Sequence, residues 1–253
     1  MNFLALMRAS LAVAAASAAI WIGSPAGAGP VAQPLGFATA IEDTAEPFGL
    51  PRVGLEAGPL RDKWLALARK LEDERVQLAL CDGDRERCVS PAALSLLAII
   101  DQGRLRAGRA RLGEINRAVN LAIRPASDLA QYGQVDVWAS PLATFERRAG
   151  DCEDYAIAKL VALRMAGVAI DDLRIVILHD VVRDEDHAVA AARLDGHWLM
   201  LDNQRMAMIQ DSDARQVRPL FVIDETGISR YQALPLMAEV RALSPEGTAS
   251  VNY

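Results

Sequence analysis

Gly150-Asp151-Cys152-Glu153-Asp154-Tyr155-Ala156 begins a segment that predicts the central helix of the protein. The apolar run continues to Ala166, and only Lys159 and Arg164 carry charge within it. Apolar residues therefore lie on nearly every face of a helical wheel, which is typical of a helix buried on all sides. Gly167 predicts the C-terminal end of this helix.

The start of the same helix offers a candidate nucleophile. Asp151 is a suitable N-cap residue, which places Cys152 in the first helical turn. The positive end of the helix dipole favours the thiolate form of a cysteine at this position. Position alone leaves a second interpretation open, an inert core cysteine, because free cysteine is among the most buried residue types.

Residues 1–28 have the pattern of a secretory signal peptide. Arg8 gives a positive start, residues 9–22 form an uncharged apolar run, and Ala26-Gly27-Ala28 has the small-x-small form of a cleavage site. A membrane anchor is the alternative. The apolar run is short for a membrane span, however, and Ser24-Pro25 interrupts it. The sequence therefore predicts an exported protein with no stable membrane insertion after cleavage.

The mature chain is predicted to begin near Gly29 and to contain one domain. Its length, about 225 residues, is enough for one full hydrophobic core. Prolines and glycines indicate an irregular leader over residues 29–60, followed by the domain over residues 61–243 and a loose tail over residues 244–253. Loss of Arg8 would change the formal charge from −6 to −7. An acidic chain gives no electrostatic basis for binding nucleic acid.

Helices precede strands in the predicted order of elements, which indicates an α+β fold. Helical patterns cover residues 61–80, 90–100 and 112–123, with Ser90-Pro91 as cap and first helical residue of the second. Residues 129–144 are predicted to form a loop. Strand patterns cover residues 173–182, 187–194, 198–203 and 220–223, and Asp195-Gly196 predicts a hairpin turn.

The three cysteines separate into a close pair and a single residue. Cys81 and Cys88 enclose a short polar segment between two predicted helices, and in an oxidising compartment they are the natural disulfide pair. A metal clip is the alternative, although this spacing without a nearby histidine is poor for zinc. A disulfide here would leave Cys152 as the unpaired thiol.

One of the three histidines is placed to serve as a base for Cys152. A nucleophilic thiol needs a base within hydrogen-bond reach, and the base needs a group that orients it. The predicted hairpin sets His187, at the start of one strand, near Asp202, at the end of the next. Packing of this hairpin on the Cys152 helix would complete a Cys–His–Asp arrangement. His179 on the preceding strand is the alternative base, whereas His197 lies at the turn end of the hairpin, too far away.

Several short blocks occur in an order that is characteristic of a known family. They are Val119-Asn120, Asp136-x-Trp138-x-x-Pro141, the stretch 150–156 with Lys159, His187-Ala188-Val189 and Leu201-Asp202-Asn203. With these blocks, residues 61–225 resemble the bacterial transglutaminase-like cysteine proteinases of the LapG type. The resemblance implies a papain-like/transglutaminase-like fold, with N-terminal helices and a nucleophile helix packed on an antiparallel sheet. Arg124 departs from the family pattern, which has an aromatic residue there, and is expected to alter the substrate groove.

The resemblance also implies roles for individual residues. Cys152 would be the nucleophile, His187 the general base and acid, and Asp202 the carboxylate that orients the histidine. Asn120 and Trp138 would shape the cleft.

Acidic residues beside the nucleophile imply a calcium site. Family members bind calcium through such residues, here Asp151 and Glu153, and Asp154 is expected to face the leader or the strands. Three acids around Cys152 would raise the thiol pKa, and a bound hard cation would offset their charge. Helix capping is the alternative explanation for acids in a first turn.

By the same resemblance, the protein is expected to be a periplasmic endopeptidase. Its substrate would be a large surface adhesin, cut near its N-terminal anchor to control adhesion or biofilm release. An inner-membrane receptor would regulate it. A transglutaminase or amidase that transfers the acyl group to an amine is the second hypothesis. A non-catalytic periplasmic binding protein of the same fold is the third.

Overall fold

A computed structural model describes residues 46–232 of the chain. The helices of this range are α1 (Pro59–Gly83), α2 (Pro91–Arg104), α3 (Gly108–Ala122), α4 (Asp128–Tyr132), α5 (Pro141–Arg147) and α6 (Cys152–Met165). The strands are β1 (Arg52–Gly54), β2 (Arg124–Pro125), β3 (Ala149–Gly150), β4 (Leu173–Asp180), β5 (Glu185–Leu194), β6 (His197–Leu201), β7 (Ile209–Gln210), β8 (Val217–Asp224) and β9 (Gly227–Tyr231). The predicted signal peptide, most of the predicted leader and the predicted tail lie outside the described residues.

Seven strands form an antiparallel sheet in the order β1-β9-β8-β4-β5-β6-β7. The predicted α+β fold is therefore confirmed, because the six helices precede strands β4 to β9, which form most of the sheet. Strand β1 lies within the segment predicted to be irregular and pairs with β9, so this part of residues 29–60 belongs to the sheet. The short strands β1, β7 and β9 were not predicted. Strands β1 and β7 have three and two residues, too few to show an alternation of polar and apolar side chains.

The hairpin between β5 and β6 has the predicted two-residue turn. Leu194 pairs with His197, and both Asp195 and Gly196 adopt positive φ, 52° and 81°. These are the conformations of a type I′ turn, which Asp-Gly favours. The turn fixes the register of the two strands. The residues just before Ala190 and just after Leu201, where the ladder ends, therefore lie close together.

Helix α6 is buried between the other helices and the sheet, as its apolar composition predicts. It packs on β5 and β4 on one side and on α2, α3 and α5 on the others. Alternate residues of β5 in this core, Ala188, Ala190 and Ala192, are small and almost fully buried. Alanine side chains allow a helix to approach a strand closely, which brings the start of α6 near the start of β5.

Two predictions about the helical region were inaccurate. Helices α1, α2 and α3 extend beyond the predicted ranges, and the predicted loop over residues 129–144 is wrong because it contains most of α4 and the start of α5. Both short helices have local start signals that their length hides from a periodicity analysis. The Ser127 hydroxyl accepts a hydrogen bond from the backbone N–H of Ala130, and Pro141 follows Ser140 at the first position of α5.

Cys81 and Cys88 form a disulfide with Cα atoms 4.8 Å apart. Cys81 lies in the last turn of α1, not in the connection between helices, because α1 is longer than predicted. Cys152 is consequently the free cysteine. Among the helices of residues 46–232, none combines the length and the hydropathy that a membrane span requires.

Candidate active site

Asp151 occupies the N-cap position of α6, as predicted, but its side chain does not cap the helix. Its backbone is extended, and the first helical residue is Cys152. Within the described residues, its carboxylate makes no capping hydrogen bond, and its Oδ1 atom is buried without a hydrogen-bond partner. The Asp151 carboxylate is therefore available to bind another group, such as a metal ion.

The thiol of Cys152 is partly buried at the start of the helix. It donates a hydrogen bond to Glu153 Oε2 at 3.0 Å, and the backbone N–H of Ala188 is directed at the sulfur. Burial raises the pKa of the thiol, and Glu153 raises it further by charge and by hydrogen bonding, whereas the Ala188 N–H lowers it. The thiolate-favouring environment predicted from the helix dipole is thus outweighed by burial and by the neighbouring carboxylates.

His187 lies one residue before Ala188 and is held by Asp202. Its Nε2 atom is 2.9 Å from Asp202 Oδ1, and the ring is almost fully buried. Burial alone would raise the pKa of Asp202, but the hydrogen bonds from His187 and from the Gln204 N–H and the charge of Lys159 bring it below its usual range. Because Nε2 is bonded to the aspartate, Nδ1 is the ring nitrogen left to exchange a proton with a thiol.

The other two histidines are engaged elsewhere. His179 on β4 is bonded through Nδ1 to Asp186 at 2.9 Å and is 3.3 Å from Asp184 through Nε2. His197 is exposed at the turn end of the hairpin. Both ring nitrogens of the alternative base are therefore occupied by exposed carboxylates.

The two predicted cleft residues differ in their surroundings. Asn120 of α3 donates from Nδ2 to the carbonyl oxygen of Asp202 at 2.9 Å, so it contacts the backbone of the candidate triad. Trp138 is nearly buried, with the Lys63 ammonium 5.5 Å from its ring centroid. Arg124, the departure from the family pattern, has an exposed side chain, and its backbone N–H donates to Arg148.

Within the described residues, the Asp154 carboxylate is directed at the segment before α5 and not at the strands of the seven-stranded sheet. It is fully buried, and its Oδ1 atom accepts a hydrogen bond from the Ala139 N–H at 2.8 Å. Burial raises its pKa to about 7, against the opposing effect of this hydrogen bond. Asp154 therefore ties the segment before α5 to the nucleophile helix.

A third acid, which the sequence analysis missed, joins the two predicted calcium ligands. Single carboxylate oxygens of Asp128, Asp151 and Glu153 all lie within 4.8 Å of one another. Asp128 is nearly buried at the first position of α4 and accepts a hydrogen bond from the Val137 N–H. Its place follows from the parallel pairing of β2 with β3, which sets the chain before α4 beside the chain before Cys152.

The chemistry of this acidic group fits a calcium ion. Among the described residues, Asp128 Oδ1 and Asp151 Oδ1 are buried with no hydrogen-bond partner. Burial, followed by the charges of Glu153, Asp154 and Asp128, raises the pKa of Asp151 to about 9. Carboxylate oxygens are the ligands that calcium prefers, and a divalent charge would offset this repulsion.

Comparison with known proteins identifies relatives of this architecture. Residues 78–216 match the family model described as bacterial transglutaminase-like cysteine proteinase. Among curated proteins, none matches the sequence.

Three solved structures of LapG from Legionella pneumophila resemble the chain. One is 22% identical with a TM-score of 0.51 and covers 62% of this chain and 86% of that chain. The EGTA-treated form is 22% identical with a TM-score of 0.52, covering 67% and 91%. The calcium-bound form is 23% identical with a TM-score of 0.49, covering 60% and 87%. The first two likenesses show the transglutaminase-like proteinase fold.

Proposed function

The chain belongs to the bacterial transglutaminase-like cysteine proteinases, and we propose that it is a calcium-dependent periplasmic endopeptidase with Cys152 as nucleophile. The observation that carries the proposal is the arrangement around β5. His187 is bonded to Asp202, and the N–H of the next residue, Ala188, is directed at the Cys152 sulfur. A thiol, an imidazole and an orienting carboxylate in this arrangement support the proposed Cys–His–Asp triad.

In this mechanism, Cys152 gives its proton to His187, and its sulfur attacks the carbonyl carbon of a peptide bond. The tetrahedral oxyanion is stabilised by the backbone N–H of Cys152, which lies at the N-terminus of α6. His187 then protonates the leaving amine, and a thioester remains on the sulfur. Water, deprotonated by His187, hydrolyses the thioester and restores the thiol. Asp202 holds the ring and stabilises the imidazolium form.

Calcium would be held by Asp128, Asp151 and Glu153. Its charge would offset the carboxylates that now raise the thiol pKa. Glu153 belongs both to this acidic group and to the hydrogen bond with the thiol. Binding of calcium by Glu153 would therefore change the hydrogen bond and the pKa of the Cys152 thiol, which supports dependence of activity on calcium.

The family resemblance and the predicted signal peptide support a proposal for the substrate and the location. We propose a large surface adhesin as substrate, cut near its N-terminal anchor, and an inner-membrane receptor as regulator. The signal-peptide pattern of residues 1–28 supports a periplasmic location. The Cys81–Cys88 disulfide also supports it, because disulfides persist in oxidising compartments.

The test is cleavage of candidate adhesin fragments, encoded near this protein, by the purified chain. Cys152→Ala, His187→Ala and Asp202→Ala should each abolish cleavage, and the double variants should lose no more than the worst single one, because the three residues act as a unit. His179→Ala is the matched control and should retain activity. Retained cleavage by Cys152→Ala would contradict the assignment.

A fluorescent amine added to the same reaction distinguishes hydrolysis from acyl transfer. Both reactions share the thioester, and they differ in whether water or the amine resolves it. We expect cleaved product without incorporation of the amine. Incorporation that depends on Cys152 would identify a transglutaminase, and neither product with any fragment would favour the binding-protein hypothesis.

A further inference from the structure

Two side chains hold the backbone where β6 ends and the candidate triad begins. Lys159 Nζ donates a hydrogen bond to the carbonyl oxygen of Leu201 at 3.0 Å. Asn120 Nδ2 donates to the next carbonyl oxygen, that of Asp202, at 2.9 Å. The ladder between β5 and β6 ends at Leu201, so these donors from α6 and α3 continue to hold the chain beyond the last strand pair.

Lys159 needs an explanation because it is fully buried. It lies seven residues after Cys152 on α6, about two helical turns further along the same side. Lysine is almost never fully buried without a partner, and an apolar side chain would fill the same space at lower desolvation cost. Burial lowers the pKa of Lys159 to about 7, and the charge of Asp202 opposes this change. The bond to Leu201 needs only an N–H group, which the ammonium and the neutral amine both have.

The held backbone determines where the Asp202 carboxylate lies. Its Oδ1 atom accepts hydrogen bonds from His187 Nε2 and from the Gln204 N–H, each at 2.9 Å. A carboxylate is two bonds from its Cα atom, so a shift of the backbone at residue 202 moves Oδ1 by a similar distance. Small displacements of this kind are sufficient to misalign a base with its nucleophile.

We propose that Lys159 and Asn120 are positioning residues that clamp the Leu201-Asp202 backbone and thereby keep His187 oriented towards Cys152. Neither residue needs to touch a substrate in this role. The kinetic consequence rests on the proposed function, because it requires the triad to perform the chemistry. The structural consequence, a His187–Asp202 hydrogen bond that depends on the clamp, does not require activity.

Proton–nitrogen NMR of the full-length protein labelled in histidine tests the clamp directly. The chain has three histidines, so His179 and His197 provide internal references. In Lys159→Met and in Asn120→Ala, the His187 Nε2–H signal should lose its hydrogen-bonded shift and its protection from exchange, while the two reference signals remain. Lys159→Gln keeps an N–H donor without charge and should retain most of the wild-type His187 signal.

Kinetics and stability separate positioning from a general structural role. With a cleaved substrate, Lys159→Met should lower kcat on the order of 100-fold with little change in KM. Arg174→Met is the matched control, because Arg174 is also a buried cation, bonded to Glu46. It should lower the melting temperature without altering the His187 signal.

An unchanged His187 signal in both Lys159→Met and Asn120→Ala would overturn the clamp. If Lys159→Met does not fold, Asn120→Ala, at a partly buried position, decides alone, and an unchanged signal in that variant overturns the proposal. A wild-type protein without peptidase activity would refute the proposed function, and the NMR comparison would still decide the clamp.

Discussion

Neutralising Asp151 should stabilise the calcium-free protein and abolish its stabilisation by calcium. The carboxylate oxygens of Asp128, Asp151 and Glu153 lie within 4.8 Å of one another. Two full charges at that separation repel by roughly 3 kcal/mol at an effective dielectric constant near 20. Without a cation, the folded protein avoids this repulsion by keeping a proton on Asp151, and Asp151→Asn removes the cost of taking up that proton; with a cation, it removes a ligand.

The pH dependence of the calcium-free protein has a defined sign. The pKa of Asp151 is raised from 3.8 to about 9 by burial and then by Glu153. The folded protein therefore binds a proton that the unfolded chain has released at neutral pH. Stability from this group is fully present below about pH 4 and is lost as the pH rises towards about 9. Asp151→Asn should flatten this part of the stability profile.

The size of the calcium effect follows from linkage. For a dissociation constant on the order of 10 μM, 1 mM free calcium stabilises the folded protein by about 2.7 kcal/mol. In a domain of this size each kcal/mol shifts the melting temperature by roughly 2–4 °C, so we expect a rise of roughly 5–10 °C. The rise should be absent in Asp151→Asn and in Asp128→Asn.

Thermal unfolding in EGTA and in 1 mM calcium measures both effects. The expected result is a loss of the calcium response, with Asp151→Asn melting above the wild type in EGTA and the wild type rising to about the level of the variant in calcium. Glu56→Gln, a change at an exposed acid outside the acidic group, should follow the wild type in both solutions. The reasoning is refuted if calcium does not shift the wild type, or if Asp151→Asn responds to calcium as the wild type does.

Three further predictions concern the thiols and one close contact. Alkylation of the oxidised protein should modify Cys152 alone, whereas mass spectrometry showing modification of Cys81 or Cys88 before reduction would contradict the bridge. Reduction of the bridge should cost about 2 kcal/mol and lower the melting temperature by several degrees. Gly150→Ala should lower the free energy of unfolding by about 1–3 kcal/mol, because the added Cβ would lie 2.7 Å from Asp154 Cβ. Gly113→Ala, inside α3, is the control. Its Cβ would lie at an ordinary contact distance, 3.5 Å, from Met208 Cε, so this variant should be neutral or stabilising in the same melts.

The parts of the fold that were predictable are those with a strong local signal. Helix α6 is apolar on nearly every face, and the hairpin combines alternation with an Asp-Gly turn that adopts positive φ at both positions. Helices α4 and α5 have five and seven residues, too few for a period of 3.6 to be visible. Their positions depend on serine and proline start signals within a segment that otherwise has the composition of a loop.

The candidate site also contains residues that local sequence patterns could place and residues that they could not. His187 and Asp202 are brought together by one hairpin, whose register follows from its turn, so local reasoning was sufficient to pair them. Asp128 reaches Asp151 through two-residue strands that pair in parallel, a contact without a sequence pattern. The thiol environment was also beyond local reasoning, because the helix dipole is visible in the sequence but burial and the hydrogen bond from Cys152 to Glu153 are not.

The buried polar residues of α6 could be predicted in part. Their burial follows from the sequence of the helix, but their hydrogen-bond partners do not. The composition of α6 makes its burial predictable, and burial makes every charged residue on it costly unless a partner is present. Asp154 and Lys159 are both fully buried, and each bonds to a backbone segment that adjoins the site, before α5 and at the end of β6. An apolar substitution at either position would relieve desolvation and leave that segment without its bond. The presence of Asp154 and Lys159 on α6 is therefore better explained by placement of the site than by stability of the helix.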